Sequence, residues 1–277
     1  MSFVKTPDAN LYYELAGKGP PVLFIQGVGA AGEAWRPQVT ALQNNFQTLL
    51  YDNRGLGQSL PCSGPITIEA MVQDARALLD AAGWDSAHII GHSMGGVIAQ
   101  QLALDCPKRV RSLGLLCTFP RGKDAARLTL RVLWLSLRVR IGSRSMRRHA
   151  FLDMLMPKDH LKTVDLDTLA AQMAKLIGRD LADSPPILMQ QLRALGRHDS
   201  SRQLQRLVGI PTLVLSAEHD PIAPPHYGHR LAGLIPGARF EQIPATAHGF
   251  PIQQPDQTNQ RLQRFLTISD TDYLASH

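Results

Sequence analysis

The sequence predicts an α/β fold: a mostly parallel eight-stranded sheet flanked by helices and interrupted once by an all-helical insertion. Three observations carry that expectation. Strand and helix patterns alternate from the N-terminus to Cys117 and again from Ile210 to Leu266, which is the rhythm of a parallel sheet covered on both faces. Between Phe119 and Leu207 the alternation stops and only helical patterns occur. A Gly-x-Ser-x-Gly turn, Gly91-His92-Ser93-Met94-Gly95, sits between a β-branched run and a helical run.

Phe3-Val4 and Leu11 to Leu15 read as two opening strands, with Pro7-Asp8-Ala9-Asn10 as the turn between them. Pro21 to Ile25 is a continuous apolar run, the mark of a strand buried on both faces. It leads into Gln26-Gly27-Val28-Gly29-Ala30-Ala31-Gly32, too rich in glycine for a helix. A short helix over Trp35 to Leu42 and a strand over Thr48 to Asp52 come next. Thr67 to Ala82 carries apolar residues at helical spacing and stops at Gly83. After the strand and helix around Ser93, Val110 to Cys117 is a further strand. Helices are then expected over Ala125–Ile141, Arg144–Met156, Leu166–Gly178 and Ile187–Leu195. The α/β rhythm resumes with a strand over Ile210 to Ser216, a helix near Tyr227 to Leu234, a strand over Arg239 to Ile243 and a helix over Gln257 to Leu266. Thr267 to His277 is expected to be a loose tail. The core is therefore 1–118 and 208–277, and 119–207 is a helical cap placed over the carboxyl ends of the strands, where it serves as a lid.

The turn at Ser93 demands a sparsely populated backbone conformation, tolerable only if the residues two before and two after lack bulk, which Gly91 and Gly95 supply. A serine hydroxyl is a weak nucleophile and needs a base, and the base needs a third group to fix its tautomer. Ten histidines are present, so position must choose among them. His248 follows the last expected strand, and Asp220 follows the preceding one, so both loops open at the edge of the sheet where Ser93 stands. Taken alone, Asp220 reads as a helix cap and His248 as a solvated loop residue; taken with the turn at Ser93 they make a Ser-Asp-His set in the expected chain order. His92 is expected to point elsewhere, and Glu218 lies two residues too early. The N–H groups of Val28 and Met94 are the candidates to receive negative charge on a substrate oxygen. Gln26, Gly27, Trp134, Met146, Phe151 and Phe250 are candidate pocket residues, although methionine and phenylalanine at helical spacing also suit a core.

The 277 residues carry a net charge of +6. Arg121, Lys123, Arg127, Arg131, Arg138, Arg140, Arg144, Arg147 and Arg148 fall in one segment whose acid is Asp124, while the rest of the chain is roughly balanced. A local excess of this kind does not suit a nucleic-acid surface. It suits a lid whose arginine heads reach water, or a face that attracts an acidic partner or an anionic substrate. Cys62, Cys106 and Cys117 lack the spacing of a zinc site or a disulfide framework, and neither a metal nor a cofactor is expected. Without a leader-like or membrane-length apolar run, the expected location is the cytoplasm.

These motifs, with Tyr51-Asp52-Asn53-Arg54-Gly55-Leu56-Gly57-Gln58-Ser59, Asp220-Pro221-Ile222 and Ala247-His248, resemble the α/β-hydrolase superfamily in its lidded branch of small esterases and lactonases. The resemblance spans nearly the whole chain. It implies hydrolysis of a small-molecule ester, lactone or thioester through an acyl-enzyme, and it implies that Arg54 is a buried brace. A ligand-binding receptor with little turnover and a carbon–carbon bond hydrolase or lyase share the scaffold. One departure stands out: the branch carries His-Gly where this chain has Gln26-Gly27, so the bracing of that loop differs.

Overall fold

The computed structural model describes residues 2–125 and 130–276. Its eight strands are β1 (Ser2–Lys5), β2 (Asn10–Ala16), β3 (Pro21–Ile25), β4 (Gln47–Tyr51), β5 (Ala87–His92), β6 (Val110–Leu116), β7 (Thr212–Ala217) and β8 (Arg239–Ile243). They form one sheet in the order β1-β2-β4-β3-β5-β6-β7-β8. β1 pairs antiparallel with β2, and β2 with β4. Every later pairing is parallel. The six consecutive strands β4-β3-β5-β6-β7-β8 therefore end at one edge, where an open α/β sheet carries its sites.

The core helices are α1 (Arg36–Leu42), α2 (Ile68–Ala81) and α3 (Met94–Asp105), and the segment between β6 and β7 holds α4 (Gly122–Ala125), α5 (Leu130–Arg138), α6 (Arg144–Leu155), α7 (Lys158–Leu161), α8 (Leu166–Ile177) and α9 (Pro186–Arg197). After β7 come α10 (Pro225–Leu234), α11 (Phe250–Gln253) and α12 (Pro255–Ser276). Caps explain several boundaries. The Thr67 hydroxyl accepts from the Ala70 N–H to open α2, Ser143 and Asp165 do the same for α6 and α8, and α8 closes on Gly178 at φ +81°. Val22, Leu23, Phe24 and Ile25 on β3 are fully buried, as its unbroken apolar run requires. The α6–α8 pair packs its own apolar cluster of Leu152, Leu155, Met156, Ala170, Met173, Ile177 and Leu181.

Two expectations change, and a short helix is added. The helix read over Ala125–Ile141 falls partly on residues 126–129, outside the described residues together with Arg127; its described part, α5, ends at Arg138. The short α7 has too few residues to show a period. The expected tail is instead the continuation of α12, in which Ser269 and Asp270 are buried. Asp270 accepts from Arg111 Nη1 at 2.9 Å and lies 3.3 Å from His88 Nε2, so partners on β5 and β6 hold the last turns down. Among the described residues no helix is long and apolar enough to cross a membrane.

Candidate active site

Ser93 sits between β5 and α3 with φ 54° and ψ −118°, a conformation that costs energy for any residue but glycine. The turn that imposes it leaves no room beside it. A Cβ on Gly91 would lie 2.3 Å from the Gly95 carbonyl oxygen, and one on Gly95 would lie 2.1 Å from that of Ile25. The Ser93 N–H donates to Leu116 O at 2.9 Å, and the Thr118 hydroxyl donates to Ser93 O at 2.7 Å. The end of β6 and the residue two beyond it thus hold the strained backbone at the position that opens α3.

The loops after β7 and β8 are tied to each other. The His219 N–H donates to Thr246 O at 2.8 Å, and the Glu218 carboxylate accepts from the Ala245 N–H at 2.8 Å. That tie fixes Asp220 beside His248: Oδ2 lies 2.7 Å from His248 Nδ1, and Oδ1 accepts the N–H groups of Ile222 and Ala223, both at 2.8 Å. Burial opposes charge on Asp220, but the imidazole, the Ala223 N–H and the Cys117 thiol outweigh it and hold the carboxyl below the usual range. The other face of the imidazole meets His92, ring centroids 4.8 Å apart, and His92 Nε2 lies 2.8 Å from the His248 carbonyl oxygen. His248 is therefore seated against the residue that precedes Ser93. Among the described residues Ser93 Oγ makes no hydrogen bond.

His92, expected to point elsewhere, instead packs on His248. Burial, then the neighbouring imidazole, pushes its pKa down to about 3, so it stays neutral and donates Nε2–H to the His248 carbonyl. His88, hydrogen-bonded to Ser112 Oγ at 2.8 Å, is pushed down to about 4 by burial. Unfolding frees both rings to take up protons from about pH 6.5 downward, so the stability they contribute is complete above that pH and is lost as pH falls toward 4 and 3. Each ring then costs on the order of 2 kcal/mol at pH 5. The urea midpoint is expected to fall between pH 7.5 and pH 5; equal midpoints would count against it.

On the other side of Ser93 lies the loop after β3. A Cβ on Gly27 would be 3.2 Å from both Ser93 Cβ and His92 Nδ1, so only glycine admits that approach without displacing its neighbours. Among the described residues the Val28 N–H has no acceptor, and the Met94 N–H opens α3, where the first turn has no intrahelical acceptor. Gln26, standing where the resemblance leads one to expect histidine, is buried, and its Nε2 reaches Tyr51 O at 3.4 Å. The loop ends on Asp52, whose Oδ1 accepts the Gly32 N–H at 2.7 Å while Oδ2 accepts the Gln58 N–H at 2.8 Å. Arg54 is indeed a buried brace, bidentate on Asp74.

The remaining pocket candidates scatter. Phe250 is wholly buried within the main core. Phe151 packs at the edge of the α6–α8 cluster with the Arg179 guanidinium 5.3 Å over its ring. Trp134 and Met146 are 54% and 51% exposed, and Trp134 carries Arg138 at 4.6 Å; neither is buried beside His248. Missing from the sequence reading was Cys117, the residue after β6 at φ 46°, whose thiol faces Asp220 and is kept protonated by burial and by that carboxylate. His92, Cys117 and His248 offer three ligand atoms within 4.8 Å of one another. Two of the three residues already spend ring nitrogens on hydrogen bonds, which a metal would have to displace.

A curated relative, "Putative carbamate hydrolase RutD" of Azorhizobium caulinodans, is 32% identical over 269 residues, 96% of this chain and 98% of its own length. The family model described as alpha/beta hydrolase fold matches residues 20–139. The chain belongs to the α/β-hydrolase family. This hydrolase is also 31% identical over 264 residues to "Putative non-heme bromoperoxidase BpoC" of Mycobacterium tuberculosis, covering 92% of this chain and 97% of that one. Among solved structures, the enol-lactonase of Burkholderia xenovorans LB400 superposes with TM-score 0.80 at 25% identity, covering 96% of this hydrolase and all of that chain.

Proposed function

We propose that this hydrolase cleaves a small carboxylic ester, lactone or thioester through an acyl-enzyme, with Ser93 as nucleophile, His248 as general acid and base, and Asp220 as its orienting carboxylate. The observation that carries the reading is the 2.7 Å bond between His248 Nδ1 and the buried Asp220, with the same imidazole packed on His92 beside the strained serine. Asp220 holds the proton on Nδ1, which leaves Nε2 as the base. On this reading Ser93 Oγ must reach His248 Nε2, a bond of the kind that often tightens only once substrate is bound.

The Ser93 proton passes to His248 Nε2 as Oγ bonds the carbonyl carbon. Negative charge gathers on the carbonyl oxygen, where the N–H groups of Val28 and Met94 receive it. Collapse breaks the carbon–oxygen or carbon–sulfur bond, and the imidazolium returns its proton to the leaving group. Water, deprotonated by the same nitrogen, then releases the acid and restores Ser93. The relatives' names widen the acyl groups worth trying to carbamates and enol-lactones. On the cationic cap, Arg138 pairs with Asp153, and Arg144 and Arg148 with Asp180. That pairing supports a packing role for those arginines over recognition of an acidic partner.

A fluorophosphonate should block turnover of p-nitrophenyl butyrate and leave a single adduct, located by peptide mass spectrometry on Ser93. Labelling at another residue, or turnover that survives stoichiometric labelling, overturns the assignment. Turnover of esters also separates this reading from a receptor, and a vinylogous diketone in the same panel separates it from a carbon–carbon bond hydrolase.

A further inference from the structure

Resting on that reading, we infer that Gln191 and Arg179, both from the helical insertion, are positioning residues for the oxyanion hole. Gly29, next to Val28, gives both of its backbone groups to the insertion. Its N–H donates to Gln191 Oε1 at 2.9 Å, and its carbonyl oxygen accepts from Arg179 Nε at 3.2 Å. Two residues on, the Ala31 N–H donates to Ile177 O at 3.0 Å. The peptide that carries the Val28 donor is thereby held from its C-terminal side by three hydrogen bonds to elements roughly 150 residues away in the chain.

The contact is close and committed. Gly29 has φ +69°, and a Cβ there would lie 2.2 Å from Leu188 Cδ2 and 3.3 Å from Arg179 Nη2. Arg179 is itself fixed, since Nη1 donates to the carbonyls of Asp180 and Asp183 at 3.2 and 2.7 Å and the head lies over Phe151. Gln191 is wholly buried, yet its Nε2 has no partner among the described residues. An unpaired buried donor is costly, and an apolar side chain at this position would only exchange it for an unpaired Gly29 N–H. What the amide supplies and an apolar group cannot is the acceptor for Gly29. It also makes good the departure at Gln26, whose own hold on the neighbouring strand is a long 3.4 Å contact.

The test compares wild type with Gln191→Met, Gln191→Glu and Ser93→Ala on p-nitrophenyl butyrate, and measures Ki for an aryl trifluoromethyl ketone, which adds Ser93 Oγ to its carbonyl and places an oxyanion in the hole. Methionine keeps the volume and loses the acceptor; glutamate keeps an oxygen in the same place. Gln191→Met is expected to lower kcat roughly 10- to 100-fold and to raise Ki by a similar factor, with KM nearly unchanged, because a displacement near 1 Å at a catalytic group has effects of that size. Gln191→Glu is expected to recover most of the loss. Wild-type kcat and Ki in Gln191→Met, or equal impairment in both variants, overturns the inference. Should Gln191→Met fail to fold, Arg179→Met carries the same measurement from the carbonyl side: a raised Ki supports the clamp and an unchanged one removes it. Activity that survives Ser93→Ala would overturn the underlying reading instead, so the two failures are told apart.

Discussion

Replacing Ser93 with alanine is expected to lower kcat by on the order of 10⁶-fold, and replacing Asp220 with asparagine by about 10⁴-fold. The two losses differ because the residues act at different points. Without Oγ no acyl-enzyme forms, and what survives is binding and charge stabilisation by the remaining groups. With asparagine at 220 the nucleophile persists. Its amide group, however, can present a donor to His248 Nδ1, which favours the tautomer with the proton on Nε2, where a base is needed. Alanine keeps the Cβ, so the backbone at φ 54° is as strained as before and the fold should persist. Steady-state ester hydrolysis beside a urea unfolding curve measures both. Ser93→Ala retaining more than about a hundredth of wild-type kcat would sink the nucleophile assignment.

The second large effect is on stability. Arg54 Nε and Nη2 reach the two oxygens of Asp74 at 2.6 and 2.7 Å, with side chains 3% and 1% exposed. Changing Asp74 to alanine leaves a buried guanidinium with the more exposed Asp8 at 3.3 Å and two carbonyl contacts. Losing one partner of a buried pair costs about 3–5 kcal/mol, a large share of the roughly 5–15 kcal/mol that holds a domain together. Replacing both members with apolar groups of similar size should recover most of that loss, since it removes the stranded charge. Urea midpoints of the single and double variants decide it. A single-variant loss below about 1 kcal/mol would mean that water or Asp8 satisfies Arg54 alone.

How much was legible in the sequence follows from the range of the forces. The turn at Ser93 is a local steric problem, so Gly91 and Gly95 announce it. The nearness of Asp220 to His248 was legible because strand periodicity places their loops at a common edge once the strands are taken as parallel. The partners that cross the fold left no such trace. Gln191 and Gly29 are 162 positions apart, and nothing in Pro186–Arg197 beyond helical spacing marks that glutamine. His92 was misread because a ring's direction depends on what packs against it, here His248. Cys117 looked like an ordinary thiol until the neighbouring strand brought Asp220 to it. The end of α12 was read as a tail because Thr267 to Ser276 is polar, whereas Arg111 and His88 supply the tertiary reason for it to stay helical.

The seam between Gly29 and the insertion bears on how such enzymes diversify. If the segment that selects what enters also steadies the amide that meets the nascent charge, then swapping it between relatives alters turnover as well as preference. A chimera that imports a foreign lid without a residue able to accept from the Gly29 N–H would inherit new selectivity together with a weakened engine.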